Sequence, residues 1–403
     1  MTSKDCCCYP KTTRLCSAVW IMGWLVASAF TSPAQERPAT RASGLDSAKV
    51  NALTVSKMRR GFLAGHVSAM TLTAAPQATP GAEPGIVVEN GNGRTLRASL
   101  QAVMEYFSSQ NRWQTSKEFI LSFEDSPHFH EGESFSLGVA LLYDALETGV
   151  PLDDRVCVSG KLTSDGAVER VGGIAGKINA AGDAGFSTVI VPAANVSVFE
   201  DMIVVNRQSA LSRFQIIGVD SFDQAREVAT SAKTAEVETA LKLYARLANL
   251  ISKEGATADG LVETLNRKPV AKAIAQILEA VPQHVSAHYL SMIAEGKGPA
   301  TLSPRGSVYT IDRLWPTILG AEAEGSSQTE MRQAALAELD RVTPLLDATS
   351  AKYVAAVRRY ADLLTGPAGE NESAESRRDS LREAATDIDT ERGYLLQKLH
   401  RRQ

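Results

Sequence analysis

Cysteine is almost absent from the chain once its first sixteen residues are passed. Four of the five cysteines fall in that segment, and only Cys157 lies beyond it. Because a disulfide needs two cysteines, a protein that has lost its N-terminal segment has no internal disulfide and depends on its hydrophobic core for stability. The 403 residues are 44% hydrophobic, which is enough for the cores of two domains.

The sequence also lacks a basic excess and a phosphate-binding loop. Its 42 Lys and Arg are outnumbered by 46 Asp and Glu, and no basic stripe stands out, so nucleic acid is not an expected partner. The motif Gly-x-x-x-x-Gly-Lys-Ser/Thr does not occur, because residues 172–177 have the wrong spacing and are followed by Ile178. We therefore expect no nucleotide cofactor.

The first residues have the pattern of an export signal. Lys11 and Arg14 precede an apolar run over residues 15–30, and small residues follow it. The run is shorter than the roughly 20 residues that a membrane-spanning helix needs. We predict a cleaved signal peptide over residues 1–34 and a periplasmic or extracellular protein, with an uncleaved membrane anchor as the alternative.

The remaining chain divides into three parts by pattern. Residues 35–57 are rich in small and charged residues without an apolar period, which predicts a linker. Residues 58–232 alternate short β-rich runs with helical spacing, which predicts a mixed α/β or α+β domain. Strand signals largely vanish over residues 235–403, where apolar residues recur three and four apart. This predicts an all-α domain, an irregular helical bundle without a fixed repeat.

Ser134 lies at a turn before an apolar helix. Serine is a favoured helix N-cap, which is the structural interpretation. The functional interpretation is a nucleophile, which needs a base, and a lysine serves as one only when it is neutral. Lys177 lies among apolar residues at the start of a later helix. It is either an exposed lysine or a base whose pKa is lowered by burial.

Two motifs resemble the proteolytic domain of the Lon proteases, which use a Ser/Lys dyad. Residues 132–136, Gly-Glu-Ser-Phe-Ser, are similar to the Gly-Asp-Ser-Ala-Ser of the archaeal-type members, with two substitutions. Residues 172–177 resemble the family's Gly-Gly pair with a lysine four residues after the second glycine. Between the two motifs, residues 149–151, residues 158–160 and Gly166 resemble family positions at the same spacing, without an insertion or deletion. The resemblance covers about residues 60–232.

The resemblance implies roles for individual residues. Ser134 would be the nucleophile and Lys177 the general base, and Ser159, at a family threonine position, would hydrogen-bond the lysine amine. Backbone N–H groups at the start of the Ser134 helix would hold the oxyanion. Glu131 and Glu133 stand where the family often has acidic residues; they either support the site or are solvated loop carboxylates.

The chain departs from the family at two points. Phe135 replaces a small residue directly after the nucleophile, so we expect a narrower cleft or a shifted backbone. The family's ATPase module is missing, which predicts an ATP-independent endopeptidase acting on unfolded or flexible protein segments. The alternatives are a non-catalytic scaffold or partner-binding module, and a domain that cuts its own chain. The resemblance allows a ring-shaped homo-oligomer, and the helical domain would bind a partner protein.

A metal site is not expected. His128 and His130 provide two ligands near Glu131 and Glu133, but no further Cys, His or Asp at suitable spacing completes a site.

Overall fold

A computed structural model describes residues 46–57, 63–76, 85–89, 94–124, 132–255, 257–319, 326–365 and 373–400. The strands are β1 (Ser47–Lys57), β2 (Leu63–Pro76), β3 (Ile86–Val88), β4 (Lys117–Phe123), β5 (Val156–Val158), β6 (Lys161–Leu162), β7 (Val168–Glu169), β8 (Thr188–Pro192) and β9 (Gln215–Val219). In this part of the chain, seven strands form one sheet in the order β3-β4-β2-β1-β5-β8-β9, and β6 and β7 form a separate hairpin.

Strand direction brings two loops to the same edge of the large sheet. Strand β2 is antiparallel to both β1 and β4, whereas β1, β5, β8 and β9 are mutually parallel. Strands β4 and β5 therefore run in the same direction, and their carboxyl ends share one edge. The segments that follow these two strands carry Ser134 and Lys177. In open α/β sheets, this edge is where sites usually form.

The linker predicted up to residue 57 is wrong for residues 47–57. These residues form β1, which pairs with β2 over its full length and with β5 at Asn51 and Ala52. Ala48, Val50 and Ala52 alternate into the core and are each at most 6% exposed. Their side chains are mostly small, so the alternation is weakly hydrophobic in the sequence, and pairing with neighbouring strands determines the structure.

The helices confirm the predicted order of a mixed α/β region followed by a helical region. They are α1 (Arg94–Ser109), α2 (Ser136–Thr148), α3 (Ile174–Asp183), α4 (Val196–Asn206), α5 (Gln208–Arg213), α6 (Phe222–Ala229), α7 (Ala235–Glu254), α8 (Ala258–Leu265), α9 (Lys268–Ala280), α10 (Val285–Ala294), α11 (Pro304–Leu319), α12 (Ser326–Val342), α13 (Ala351–Thr365) and α14 (Ala374–His400). Within the described ranges, no helix has the length and apolar character to cross a membrane. The predicted signal peptide lies outside these ranges.

Helices α2 and α3 pack on opposite faces of β2. A Cβ on Gly138 of α2 would meet the side chain of Met70, and a Cβ on Gly65 would meet the backbone of α3 at Gly176. Residues 65 and 70 are five apart in an uninterrupted register, so their Cβ directions are opposite. Helix α2, which follows Ser134, and helix α3, which carries Lys177, thus lie on opposite faces of the sheet.

The hydrophobic core does not stop at the end of the mixed region. One cluster of buried residues runs from Ala48 to Leu290 and includes helices α7 to α10, and a second joins α11 to α14. Helix α10 is bonded to the edge strand β9, because the Ser286 hydroxyl accepts from Ile216 N–H at 2.8 Å. The boundary at residues 232–235 remains a prediction.

Candidate active site

Ser134 lies in a 3-10 turn over Glu133–Phe135, directly before α2. The N-cap position of α2 is Phe135, and no side chain caps the helix there. The N-cap interpretation of Ser134 is therefore wrong. Ser134 is half-buried, and its hydroxyl makes no hydrogen bond to any described residue.

In this turn, Ser136 is the serine that has a structural role. Its hydroxyl donates to the carbonyl of Glu133 at 2.9 Å and accepts from Leu162 N–H at 2.7 Å. The side chain is fully buried. Since buried backbone groups are costly to leave unpaired, Ser136 ties the nucleophile turn to β6.

Lys177 lies in the first turns of α3, and its side chain is buried, with 1% of the residue exposed. The interpretation as an exposed lysine is therefore wrong. Its amine donates a hydrogen bond to Ser159 Oγ at 3.0 Å. Burial lowers the pKa of Lys177 from its usual 10.5 to about 8 because a charged amine loses its hydration in the interior. A substantial fraction of the amine is then neutral near pH 8.

Two consecutive residues connect the lysine to the serine turn. Ser159, which follows β5 and is held by its N–H to the carbonyl of Ile190 at 3.0 Å, accepts from the Lys177 amine. Gly160 donates its N–H to the carbonyl of Ser134 at 3.1 Å and accepts from Leu137 N–H at 3.2 Å. No hydrogen bond joins the Ser134 hydroxyl directly to the lysine amine among the described residues.

Glu133 is exposed and forms part of an ion-pair bridge. The Lys161 amine lies 3.0 Å from a Glu133 carboxylate oxygen and 3.1 Å from one of Glu169, the cross-strand neighbour of Lys161 in the β6–β7 hairpin. Hydrogen bonds to Glu133 and Glu169 raise the pKa of Lys161. The sequence reasoning missed Lys161, although its place two residues after Ser159 was a signal. Glu131 lies outside the described residues.

Phe135 does not narrow a cleft. Its side chain is 3% exposed, and its ring lies edge-on to Phe123 with centroids 5.4 Å apart. The expectation of a narrower cleft is wrong, because the large residue after Ser134 packs into the core. The helix-start N–H groups of Ser136 and Leu137 are taken by carbonyls of Glu133 and Gly160. The N–H of Ser134 has no acceptor in the part of the chain described, so it is the better oxyanion donor.

A metal centre is not seen in the residues that the structure describes, where no three His, Cys, Asp or Glu side chains are grouped to hold an ion. His128, His130 and Glu131 lie outside those residues.

Comparison with known proteins shows which family residues 59–231 resemble. The model of the Lon protease (S16) C-terminal proteolytic domain matches residues 59–231. The chain is 29% identical over 157 residues to a Lon protease of Orientia tsutsugamushi, covering 37% of this chain and 19% of that protein. It is 29% identical over 175 residues to an archaeal Lon protease of Methanothermobacter thermautotrophicus, covering 41% of this chain and 26% of that protein.

A third relative extends the alignment. An archaeal Lon protease of Thermococcus kodakarensis is 27% identical over 201 residues, which cover 48% of this chain and 29% of that protein. The chain thus spans less than a third of the length of each of these relatives. The shared part contains Ser134, Ser159 and Lys177 within the family match. Residues 59–231 of this chain are therefore similar to the proteolytic domain of the Lon proteases.

Proposed function

We propose that the protein is an exported serine endopeptidase that hydrolyses peptide bonds without ATP. Ser134 is its nucleophile and Lys177 its general base. The observation that carries the proposal is the buried Lys177 amine, which has a lowered pKa and is hydrogen-bonded to Ser159. The desolvation cost of this lysine has no evident structural benefit, and perturbed titrating groups concentrate at functional sites.

The chemistry follows from these residues. The neutral Lys177 amine takes the proton of the Ser134 hydroxyl as its oxygen attacks the substrate carbonyl carbon. The tetrahedral oxyanion accepts from the Ser134 N–H at the positive end of the helix dipole. The ammonium then protonates the leaving amine, and an acyl-enzyme remains. Water then attacks the acyl carbon as the same amine takes its proton. The ester bond to Ser134 breaks, and the ammonium returns a proton to the serine oxygen as the second product, a carboxylic acid, leaves.

The finer parts of the proposal rest on the sequence. The lack of a P-loop motif supports independence from ATP, and a protease without an unfoldase is suited to flexible or unfolded segments. The N-terminal pattern supports export. N-terminal sequencing of protein recovered outside the cytoplasm tests this, and a mature chain that still begins at residue 1 contradicts cleavage. The helical region is proposed to bind a partner or a second copy.

One observation favours the alternative of a non-catalytic scaffold, namely that the Ser134 hydroxyl is not hydrogen-bonded to the lysine amine. The deciding experiment follows hydrolysis of unfolded casein with and without ATP by the wild type, Ser134→Ala and Lys177→Ala. We expect cleavage by the wild type alone, at the same rate without ATP, and losses of about 10³-fold or more in both variants. Equal inertness of all three proteins supports the scaffold.

A further inference from the structure

A cleft lies on the face of α3 that points away from the Lys177 side chain. It has a volume of about 460 Å³ and is bordered by α3, by the segment from α4 to α5, and by α11. Gly176, Asn179 and Asp183 of α3 line it, at the three- and four-residue spacing of a single helix face. Lys177 is absent from this lining, because its side chain is buried toward Ser159. Helix α3 therefore borders the cleft with one face and carries Lys177 on another.

The wall formed by α11 is fixed in place. The Asp201 carboxylate of α4 accepts from the Ser303 N–H at 2.6 Å and from the Ser303 hydroxyl at 2.7 Å. A Cβ on Gly306 would lie 2.2 Å from the carboxyl carbon of Asp201, so the first turn of α11 sits directly on α4. Tyr309 and Arg313, which are four residues apart on α11, line this wall of the cleft.

Several polar groups along this cleft are uncommitted. Among the described residues, the hydroxyl of Tyr309, the guanidinium of Arg313 and the amides of Asn179 and Asn206 form neither a hydrogen bond nor an ion pair. Burial raises the pKa of Tyr309, so its hydroxyl remains a donor at neutral pH. The cleft thus offers a planar guanidinium, a hydroxyl and two amides to a ligand.

The charges of the cleft favour a ligand with one negative charge. Its charged lining residues are Arg213, Arg313 and Asp183, which sum to +1. Arg213 is paired with Asp183. Arg313 makes no ion pair among the described residues, although the pKa of the Glu338 carboxyl is lowered by its paired Arg341 and also by Arg313. A monoanion balances this charge, whereas a doubly charged phosphate would also meet the Asp183 carboxylate.

We propose that this cleft binds the C-terminal carboxylate of a peptide. The guanidinium fork of Arg313 matches a carboxylate in bidentate geometry, and the Tyr309 hydroxyl provides a further donor. The amides of Asn179 and Asn206 both donate and accept, so they suit the last peptide N–H and C=O groups. The cleft opens to solvent, so the rest of the peptide extends outward. The choice of a peptide C-terminus as the ligand rests on the proposed function, because peptide hydrolysis creates new C-termini.

The test measures binding and does not depend on catalysis. The full chain carrying Ser134→Ala is titrated by fluorescence anisotropy against an N-terminally fluorescein-labelled Ala-Leu-Ala-Leu-Ala with a free C-terminus, and against the same peptide with a C-terminal amide. We expect the amide to bind about tenfold more weakly, because it cannot form a charge-assisted pair. Equal affinity of the two peptides, or no binding of the free acid at millimolar protein, overturns the proposal.

Variants in the same background locate the site. Arg313→Ala is expected to weaken binding of the free acid about tenfold, and Tyr309→Phe a few-fold. Arg305→Ala is the matched control, because Arg305 is an exposed arginine of α11 outside the cleft, and it should leave binding unchanged. Binding that is insensitive to Arg313→Ala places the peptide elsewhere, for example at Ser134. Displacement by 10 mM inorganic phosphate indicates a general anion site. Either result contradicts the assignment.

Discussion

The backbones of Gly65 and Gly176 touch where β2 crosses α3. A Cβ on Gly65 would lie 2.0 Å from the carbonyl oxygen of Gly176 and 2.8 Å from the nitrogen of Lys177. Real Cβ atoms essentially never approach backbone this closely, so a side chain at position 65 has to displace the helix turn that holds the lysine. The contact between Gly65 and Gly176 thus helps to position Lys177, the proposed base. Strand β2, which provides Gly65, carries no proposed catalytic residue itself.

Gly65→Ala is therefore expected to lower kcat by at least about tenfold, since small displacements of catalytic groups are costly. Gly85→Ala is the control, because a Cβ on Gly85, at the start of β3, meets nothing within 4 Å. The measurement is the steady-state hydrolysis of an internally quenched peptide, with circular dichroism to confirm folding. A folded Gly65→Ala protein with wild-type kcat would contradict the role of this contact.

The hydrogen bond from Lys177 to Ser159 orients the amine, so its loss should affect turnover more than substrate binding. We expect Ser159→Ala to reduce kcat by about 10- to 100-fold with little change in KM. Ser159→Thr keeps the hydroxyl and is expected to retain most of the activity. Equal losses in the two variants would show that packing at this buried position, rather than the hydroxyl, is what matters.

The pH dependence of kcat/KM should follow the ionisation of the Lys177 amine. Its pKa is about 8, and the base acts only when neutral, so activity should rise by about tenfold per pH unit below pH 8 and level off above it. The profile is measured between pH 6 and 10 with the quenched peptide. A flat profile, or a rising limb centred near 10.5, would exclude Lys177 as the titrating base.

The lowered pKa of Lys177 also predicts that this buried lysine destabilises the folded state. Below pH 8 both states carry a protonated lysine, and the folded state bears the full penalty. Between pH 8 and 10.5 the unfolded state binds more protons than the folded state, so the contribution of Lys177 to stability improves as pH rises. Lys177→Met should therefore be inactive yet more stable at pH 7, by up to about 3 kcal/mol.

This stability gain should shrink toward pH 10.5, which urea unfolding at pH 7 and pH 10 would detect. Lys272→Met is the control, because Lys272 is exposed on α9 and makes no ion pair among the described residues. It should change stability by less than about 0.5 kcal/mol at either pH. A Lys177→Met protein less stable than the wild type at pH 7 would show that the amine stabilises the fold.

Much of the fold is readable from the sequence because its elements are strongly patterned. The run at β8 is apolar at nearly every position, and its residues are all buried. Ser221 caps α6 by accepting from Gln224 N–H, and serine is a favoured residue at that position. Strand β1 was missed because three of its five buried residues, Ala48, Ala52 and Thr54, are small or polar and give a weak hydrophobic pattern. Its structure depends on partners far along the chain.

The start of helix α11 is a second place where packing determines the structure. Gly306 lies near its start and reads as a helix breaker, yet the missing side chain makes room for the Asp201 carboxylate, which also accepts from Ser303. The bridge from Lys161 to Glu133 and Glu169 was equally hidden, because it depends on how the β6–β7 hairpin meets the nucleophile turn. Local patterns cannot give contacts that only tertiary packing creates.

The position of β1 in the sheet limits where this chain can be truncated. The family match begins at residue 59, whereas β1 ends at residue 57 and is the strand that joins β2 to β5. A fragment cut at the family boundaries would lose the middle of its sheet. It would also lose α10, whose Ser286 is bonded to β9. A fragment intended to fold on its own should therefore be longer than the matched residues 59–231, and truncation libraries should keep residues 46–294 together.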